Sequence, residues 1–229
     1  MEEKFQKIKE IVENELSLGK DSVHDINHVM RVYNLALTMA EQEKKVDFDV
    51  LRASVLLHDI GSAKESNDPS GQTDHAAVGA EMAGPILEEL GFSKNQIKHI
   101  QACILSHRHR TDQKPETIEA KLVHDADKLE TVGAIGVARA FAWVGKHQAQ
   151  IYKKVEDIDS YIKDNLSEGK KNGRIKDKTK HSAQINYELK DKFLLENLYT
   201  ETAKKVGRER LAYYRKFLHR LEKEINGEL

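Results

Sequence analysis

Ala53-Ser54-Val55-Leu56-Leu57-His58-Asp59-Ile60-Gly61 runs an apolar helix straight into a polar pair. Leu51, Val55, Leu56 and Leu57 fall at helical spacing, and Asp47 stands where an N-cap belongs. The helix is expected to run from just after Asp47 to Asp59, with Gly61 as its stop. A histidine and a carboxylate at the end of a buried helix are shielded polar groups, and such groups need partners.

The same period continues on both sides. Upstream, Phe5, Ile8, Val12 and Leu16 stripe a helix from Glu2 to Leu18, which Gly19 stops. A second helix starts near Asp25 and carries Val29, Val32, Ala36 and Met39. Downstream, Ser62 to Thr73 is polar, holds Pro69 and Gly71, and reads as a loop. Asp74 caps a helix that ends at Leu90-Gly91. Ser93 and Gln96 form a capping box for the next, with Ile97, Ile100, Ile104 and Leu105 inside. After a basic loop from Arg108 to Lys114, Pro115 suits a first helical position, and the pattern continues through Asp127 to about Trp143. The stretch from about 164 to 182 is basic and poor in apolar residues, and reads as a mobile loop or lid. Two helices, Asn186 to Leu198 and Thr200 to Glu224, complete an all-α chain. No alternating strand pattern and no Asn-Gly or Asp-Gly turn occurs.

Composition narrows the function. The 229 residues carry 37 Lys+Arg against 38 Asp+Glu, a net charge of -1, so no basic field draws duplex nucleic acid or an anionic membrane. The single cysteine, Cys103, excludes an intramolecular disulfide and a Cys-rich zinc site. The N-terminus begins an amphipathic helix without a signal-peptide core, and no apolar run is long enough to span a bilayer. A soluble, cytoplasmic protein is expected. Trp143 and Phe141 read as core. There is no Gly-Lys-Ser/Thr phosphate loop, no Gly-x-Ser-x-Gly elbow and no His-Glu-x-x-His zinc helix.

The histidines are unevenly placed. Of 11, eight lie between His24 and His124. His-Asp occurs three times, at 24, 58 and 124, where random placement gives about 0.7. His28 lies on the second helix, and Asp127 lies in Leu122-Val123-His124-Asp125-Ala126-Asp127-Lys128-Leu129.

The order His28 … His58-Asp59 … Asp127 resembles the signature of the HD-domain metal-dependent phosphohydrolases. The surroundings are similar too: His28-x-x-Arg31-Val32, Leu56-Leu57-His58-Asp59-Ile60-Gly61, His75-x-x-x-Gly79-Ala80-Glu81 and Asp125-Ala126-Asp127-Lys128-Leu129. The last, followed by Gly133-Ala134-Ile135-Gly136-x-Ala138-Arg139, resembles a small HD hydrolase subgroup that includes nucleoside triphosphate pyrophosphohydrolases. The resemblance covers about residues 20–145 and, more weakly, the C-terminal helices. It implies one HD-type helical domain over residues 1–229 with a C-terminal helical extension. It implies His28, His58, Asp59 and Asp127 as metal ligands, and Asp59 as the group that orients the attacking water.

Two neutral imidazoles and two carboxylates carry -2 and balance a divalent cation. Mixed N/O ligation suits Mn²⁺, Co²⁺, Ni²⁺, Fe²⁺ or Mg²⁺. Four ligands on a six-coordinate ion leave room for water and a substrate oxygen, which suits hydrolysis of a phosphate ester or anhydride in a small molecule such as a nucleotide. His75 joins Asp59 as a candidate catalytic residue. Lys64, His107, Lys128 and Arg139 are candidate phosphate contacts, and Glu65 a weaker candidate base. His24, Asp25, His124 and Asp125 read as partners that orient ligands. His99, His147, His181 and His219 read as surface residues.

Two other functions share this pattern. His28, His58, Asp59, His75, His107 and Asp127 also supply the ligand series of two-metal HD proteins, which the resemblance extends to di-iron oxygenases and di-metal phosphodiesterases. A non-catalytic helical binding module is the third.

Overall fold

The computed structural model describes residues 2–19, 25–108, 113–171 and 173–229. They are helical and contain no strand; one isolated antiparallel bridge joins Leu166 and Ile175. The helices are α1 (Glu3–Ser17), α2 (Ile26–Ala40), α3 (Phe48–Leu57), α4 (Ser62–Asn67), α5 (His75–Glu89), α6 (Lys94–Ser106), α7 (Ile118–Leu129), α8 (Gly133–Lys146), α9 (Ile158–Asn165), α10 (Ala183–Leu189) and α11 (Glu201–Ile225). Among the described residues no helix is long and apolar enough to cross a membrane. The chain divides into two units, one running to Lys128 with Leu198–Ala203, the other Leu129–Asn197 with Lys204–Leu229.

In the first unit the expected caps set the helix starts. Asp25 accepts His28 N–H, Asp47 accepts Asp49 and Val50 N–H, Asp74 accepts Ala76 N–H, and Ser93 with Gln96 closes the capping box. The stripe Phe5, Ile8, Val12 of α1 and Val29, Val32, Ala36 of α2 is fully buried, as are Leu51, Val55, Leu56 and Leu57 of α3. Burying side chains of this size contributes about 1.5–3 kcal/mol each. Helix α3 packs against α1, α2 and α6, and α5 against α6. Glu119 of α7 is buried; its Oε1 accepts the Asp47 N–H at 2.7 Å and its Oε2 lies 3.3 Å from His99. This carboxylate ties α7 to the start of α3 and to α6.

Gly61 is not a terminator. It is the N-cap of α4, a short helix inside the stretch expected to be a loop. That helix buries Ser62 and Ala63 alone, too little apolar face to leave a period in the sequence. At Gly61 a Cβ would collide with the backbone carbonyl of His75 and lie 2.9 Å from Gly79 N. The turn carrying His58-Asp59 therefore rests directly on the first turn of α5. Gly61→Ala is expected to cost about 1–3 kcal/mol, the usual penalty for overpacking, seen as a lower urea midpoint. An unchanged midpoint would mean that the turn yields freely.

In the second unit, Tyr161, Leu166, Ile185 and Leu189 form a buried cluster. The expected helix from Asn186 to Leu198 is instead α10 and a 3₁₀ segment, Asp191–Asn197. Asp191 turns inward to accept from Asn186 Nδ2 at 2.9 Å, and Lys190 leaves the helical region at φ -132. His181, expected at the surface, is 3% exposed. Asn165 donates to the Tyr161 oxygen at 2.7 Å, and that hydroxyl is hydrogen-bonded to His181 Nδ1 at 2.8 Å. Asn165 also receives the Asp177 N–H at 3.0 Å, so the basic 164–182 stretch is built onto α9. His219 is exposed, and His99 and His147 are half-buried.

Candidate metal centre and its cavity

Two histidines end helices and use the same device. His58 is the C-cap of α3 and its Nδ1 lies 2.7 Å from the Val55 carbonyl. His107 is the C-cap of α6 and its Nδ1 lies 2.6 Å from the Ile104 carbonyl. A carbonyl only accepts, so both Nδ1 atoms carry hydrogen, and the lone pair of the neutral ring then falls on Nε2. Each contact adds a hydrogen bond to a carbonyl in the last turn of its helix.

Around these lone pairs the other donors gather. His28, on the first turn of α2, places Nε2 3.5 Å from Asp59 Oδ2 and 3.4 Å from Asp127 Oδ1. His58 Nε2 lies 3.4 Å from the same Asp59 oxygen. Asp59 Oδ1 faces the other way, 3.2 Å from His75 Nε2 and 3.6 Å from His107 Nε2, which are 3.2 Å from each other. Neighbouring donors around one cation with bonds near 2.1 Å sit about 3 Å apart. Both His28–His58–Asp59 and Asp59–His75–His107 are spaced to hold an ion. His58 Nε2 is buried and has no hydrogen-bond partner, as suits an atom reserved for a cation. The donor set thus fits a divalent metal.

Electrostatics agree. Burial pushes the His58 imidazole down to about 4, against the pull of Asp59, so it is neutral as a ligand must be. Burial alone would raise Asp59, but His58, His107, His28 and His75 hold it well below the usual carboxylate range. Burial likewise opposes ionisation of Asp127, and Lys128 with His28 overrides it. Burial would lower His75, but Asp59 and Glu65 push it up to about 9. Glu65 is held down to about 2, chiefly by the His75 hydrogen bond.

Two opposite pH trends follow for the metal-free protein. The depressed His58 contributes stability above pH 6.5 that is lost as pH falls towards 4, about 3 kcal/mol. The raised His75 contributes stability below pH 6.5 that is lost as pH rises through about 9. Urea midpoints in chelator are expected to peak near pH 6.5 and to fall towards both 4.5 and 9; a midpoint still climbing at pH 9 would contradict the His75 environment.

Asp59, Asp127, His75 and Glu65 line a cavity of about 370 Å³. Its walls carry three carboxylates (Asp59, Glu65, Asp127), two cations (Arg108, Lys128), His75 and His107, and the serines Ser62 and Ser66. Lys128 Nζ lies 2.7 Å from Asp127. Arg108 spans Asp74 at 2.8 Å and Glu65 at 3.3 Å, and Glu65 in turn binds His75 Nδ1. Arg108 belongs to the positive patch His107-Arg108-His109-Arg110 that the sequence offers as a phosphate contact, whereas Ser62 and Ser66 carry no signal in the sequence.

The remaining candidates are placed elsewhere. Lys64 is exposed on α4, outside the cavity lining. Arg139 lies in the second unit and pairs with Glu130 at 3.3 Å. Asp125, fully buried, accepts from Tyr199 N–H at 3.0 Å and from Thr200 N–H and hydroxyl at 2.8 Å, and so holds the approach to α11. His124 packs its ring 5.0 Å from that of Tyr199. Asp25 caps α2 beneath His28. His24, His109 and Arg110 lie outside the described residues.

Residues 25–132 match the HD domain family. The Bacillus subtilis protein YpgQ is 28% identical over 215 residues, 91% of this chain and 87% of its own length. An HD-superfamily hydrolase of Bacillus thuringiensis has a crystal structure that superposes with a TM-score of 0.68 at 28% identity, covering 98% of this chain and 97% of that one. YpgQ crystallised in complex with ADP shares the fold at 24% identity, TM-score 0.69, covering 96% and 94%. The metal-spaced donors lie on this same stretch, residues 25–132, which matches the HD domain, and nearly the whole chain is similar to a solved HD-superfamily hydrolase.

Proposed function

We propose that the protein hydrolyses a phosphate ester or anhydride bond of a small phosphorylated molecule, in the first instance a nucleotide, with one divalent cation held by His28, His58, Asp59 and Asp127. The observation that carries this is the convergence of those four side chains, from α2, the end of α3 and α7, with donors 3.4–3.5 Å apart beside a polar cavity. The crystallised complex of YpgQ with ADP supports the nucleotide. A cation there supplies Lewis acidity, lowering the pKa of water and polarising a phosphoryl oxygen. Asp59, ionised and facing the cavity, orients the attacking water by accepting its hydrogen bond. His75, fixed at Nδ1 by Glu65, holds a proton beside it. Lys128 and Arg108 offset phosphate charge from the walls. The test is a screen of nucleoside mono- and triphosphates with Mn²⁺, Co²⁺, Ni²⁺, Fe²⁺ and Mg²⁺. Release of phosphate or pyrophosphate that stops with chelator is expected; no release with any pair would end the proposal.

One observation favours a second reading. Asp59 Oδ1, His75 and His107 form a further ligand-spaced group, which suits a two-metal protein. Two ions per chain by elemental analysis would select it, and oxygen uptake with iron would make it an oxygenase.

A further inference from the structure

We propose that the cavity recognises the phosphate chain of its substrate and does not read the base attached to it. This rests on the phosphohydrolase reading and narrows it. Every described residue lining the cavity is charged, an imidazole or a serine; none is aliphatic and none is Phe, Tyr or Trp. A bound nucleobase is ordinarily held by stacking on a planar side chain and by apolar walls around a few directed hydrogen bonds. The planar groups here are committed. His75 and His107 are 8% and 2% exposed, with ring centroids 5.2 Å apart, and turn their Nε2 atoms to Asp59. The Arg108 guanidinium is held between Asp74 and Glu65.

The charges point the same way. Three carboxylates stand against the two charged side chains Arg108 and Lys128, so the walls carry no excess positive charge until a cation is present. Phosphate oxygens, more than any other part of a nucleotide, gain from that cation and from two charged side chains. The chemistry is then the same for any oligophosphate. The water oxygen bonds to phosphorus, the bridging P–O bond breaks with its electron pair on the leaving oxygen, one water proton ends on that oxygen and the other stays with the new phosphate.

The test compares kcat/KM, with saturating Mn²⁺, for ATP, GTP, CTP, UTP, dATP and inorganic tripolyphosphate. Values within about tenfold of one another are expected, since a base held by stacking changes affinity roughly 5- to 150-fold. A preference beyond tenfold for one base, or cleavage of nucleotides with tripolyphosphate refractory, would overturn the inference. If nothing is hydrolysed the hydrolase reading fails, and calorimetry on the Mn²⁺-loaded protein decides this one separately. Equal binding of ATP and tripolyphosphate with none of adenosine supports it, and adenosine binding or ATP more than tenfold tighter refutes it.

Discussion

Asp59→Asn is expected to bind no cation after dialysis and to lose at least about three orders of magnitude in phosphate release. The side chain serves both donor groups, with Oδ2 turned to His28 and His58 and Oδ1 to His75 and His107. Asparagine keeps the shape but loses the negative charge. Its NH₂ also finds imidazole lone pairs as acceptors, so the fold is kept while a donor occupies the place of the ion. Elemental analysis and product release report independently. Wild-type metal content or turnover in this variant would remove Asp59 from the centre.

Asp125→Ala is expected to do the reverse. It removes the acceptor of the buried Thr200 N–H and hydroxyl and of the part-buried Tyr199 N–H, and each buried donor left stranded costs about 1–3 kcal/mol. A loss of about 3 kcal/mol or more in urea unfolding should accompany retained metal. Asp127→Ala, whose side chain is 18% exposed, should lose metal with a much smaller change in stability. Loss of metal in the Asp125 variant under folding conditions would place that carboxylate at the cation instead.

This contrast shows where sequence and structure part. Asp125 and Asp127 both flank apolar positions of one helix, but residues two apart point to nearly opposite sides, about 200° around the axis. One carboxylate therefore reaches the cavity and the other α11's approach, and periodicity alone does not say which. The caps at Asp25, Asp47, Asp74 and Ser93 were legible because a cap is local. His181 was not, because Tyr161, its partner, lies 20 residues away. Nor was the break at Lys190, which depends on Asp191 finding Asn186 in a buried place. α4 escaped because polar residues and a glycine signal a turn whether or not a short helix fits there. The proposed metal ligands stand out in the sequence through the order and surroundings of their motifs, while the carboxylates that Arg108 bridges are visible only in the fold.

His58 and His107 each take their aim from a carbonyl three residues back on their own helix. Which nitrogen faces inward is settled within a single turn of chain, before distant segments meet. Loops beyond α3 and α6 can therefore lengthen or change composition without re-aiming either imidazole, and a cation held by His58 would find that ring already turned to it.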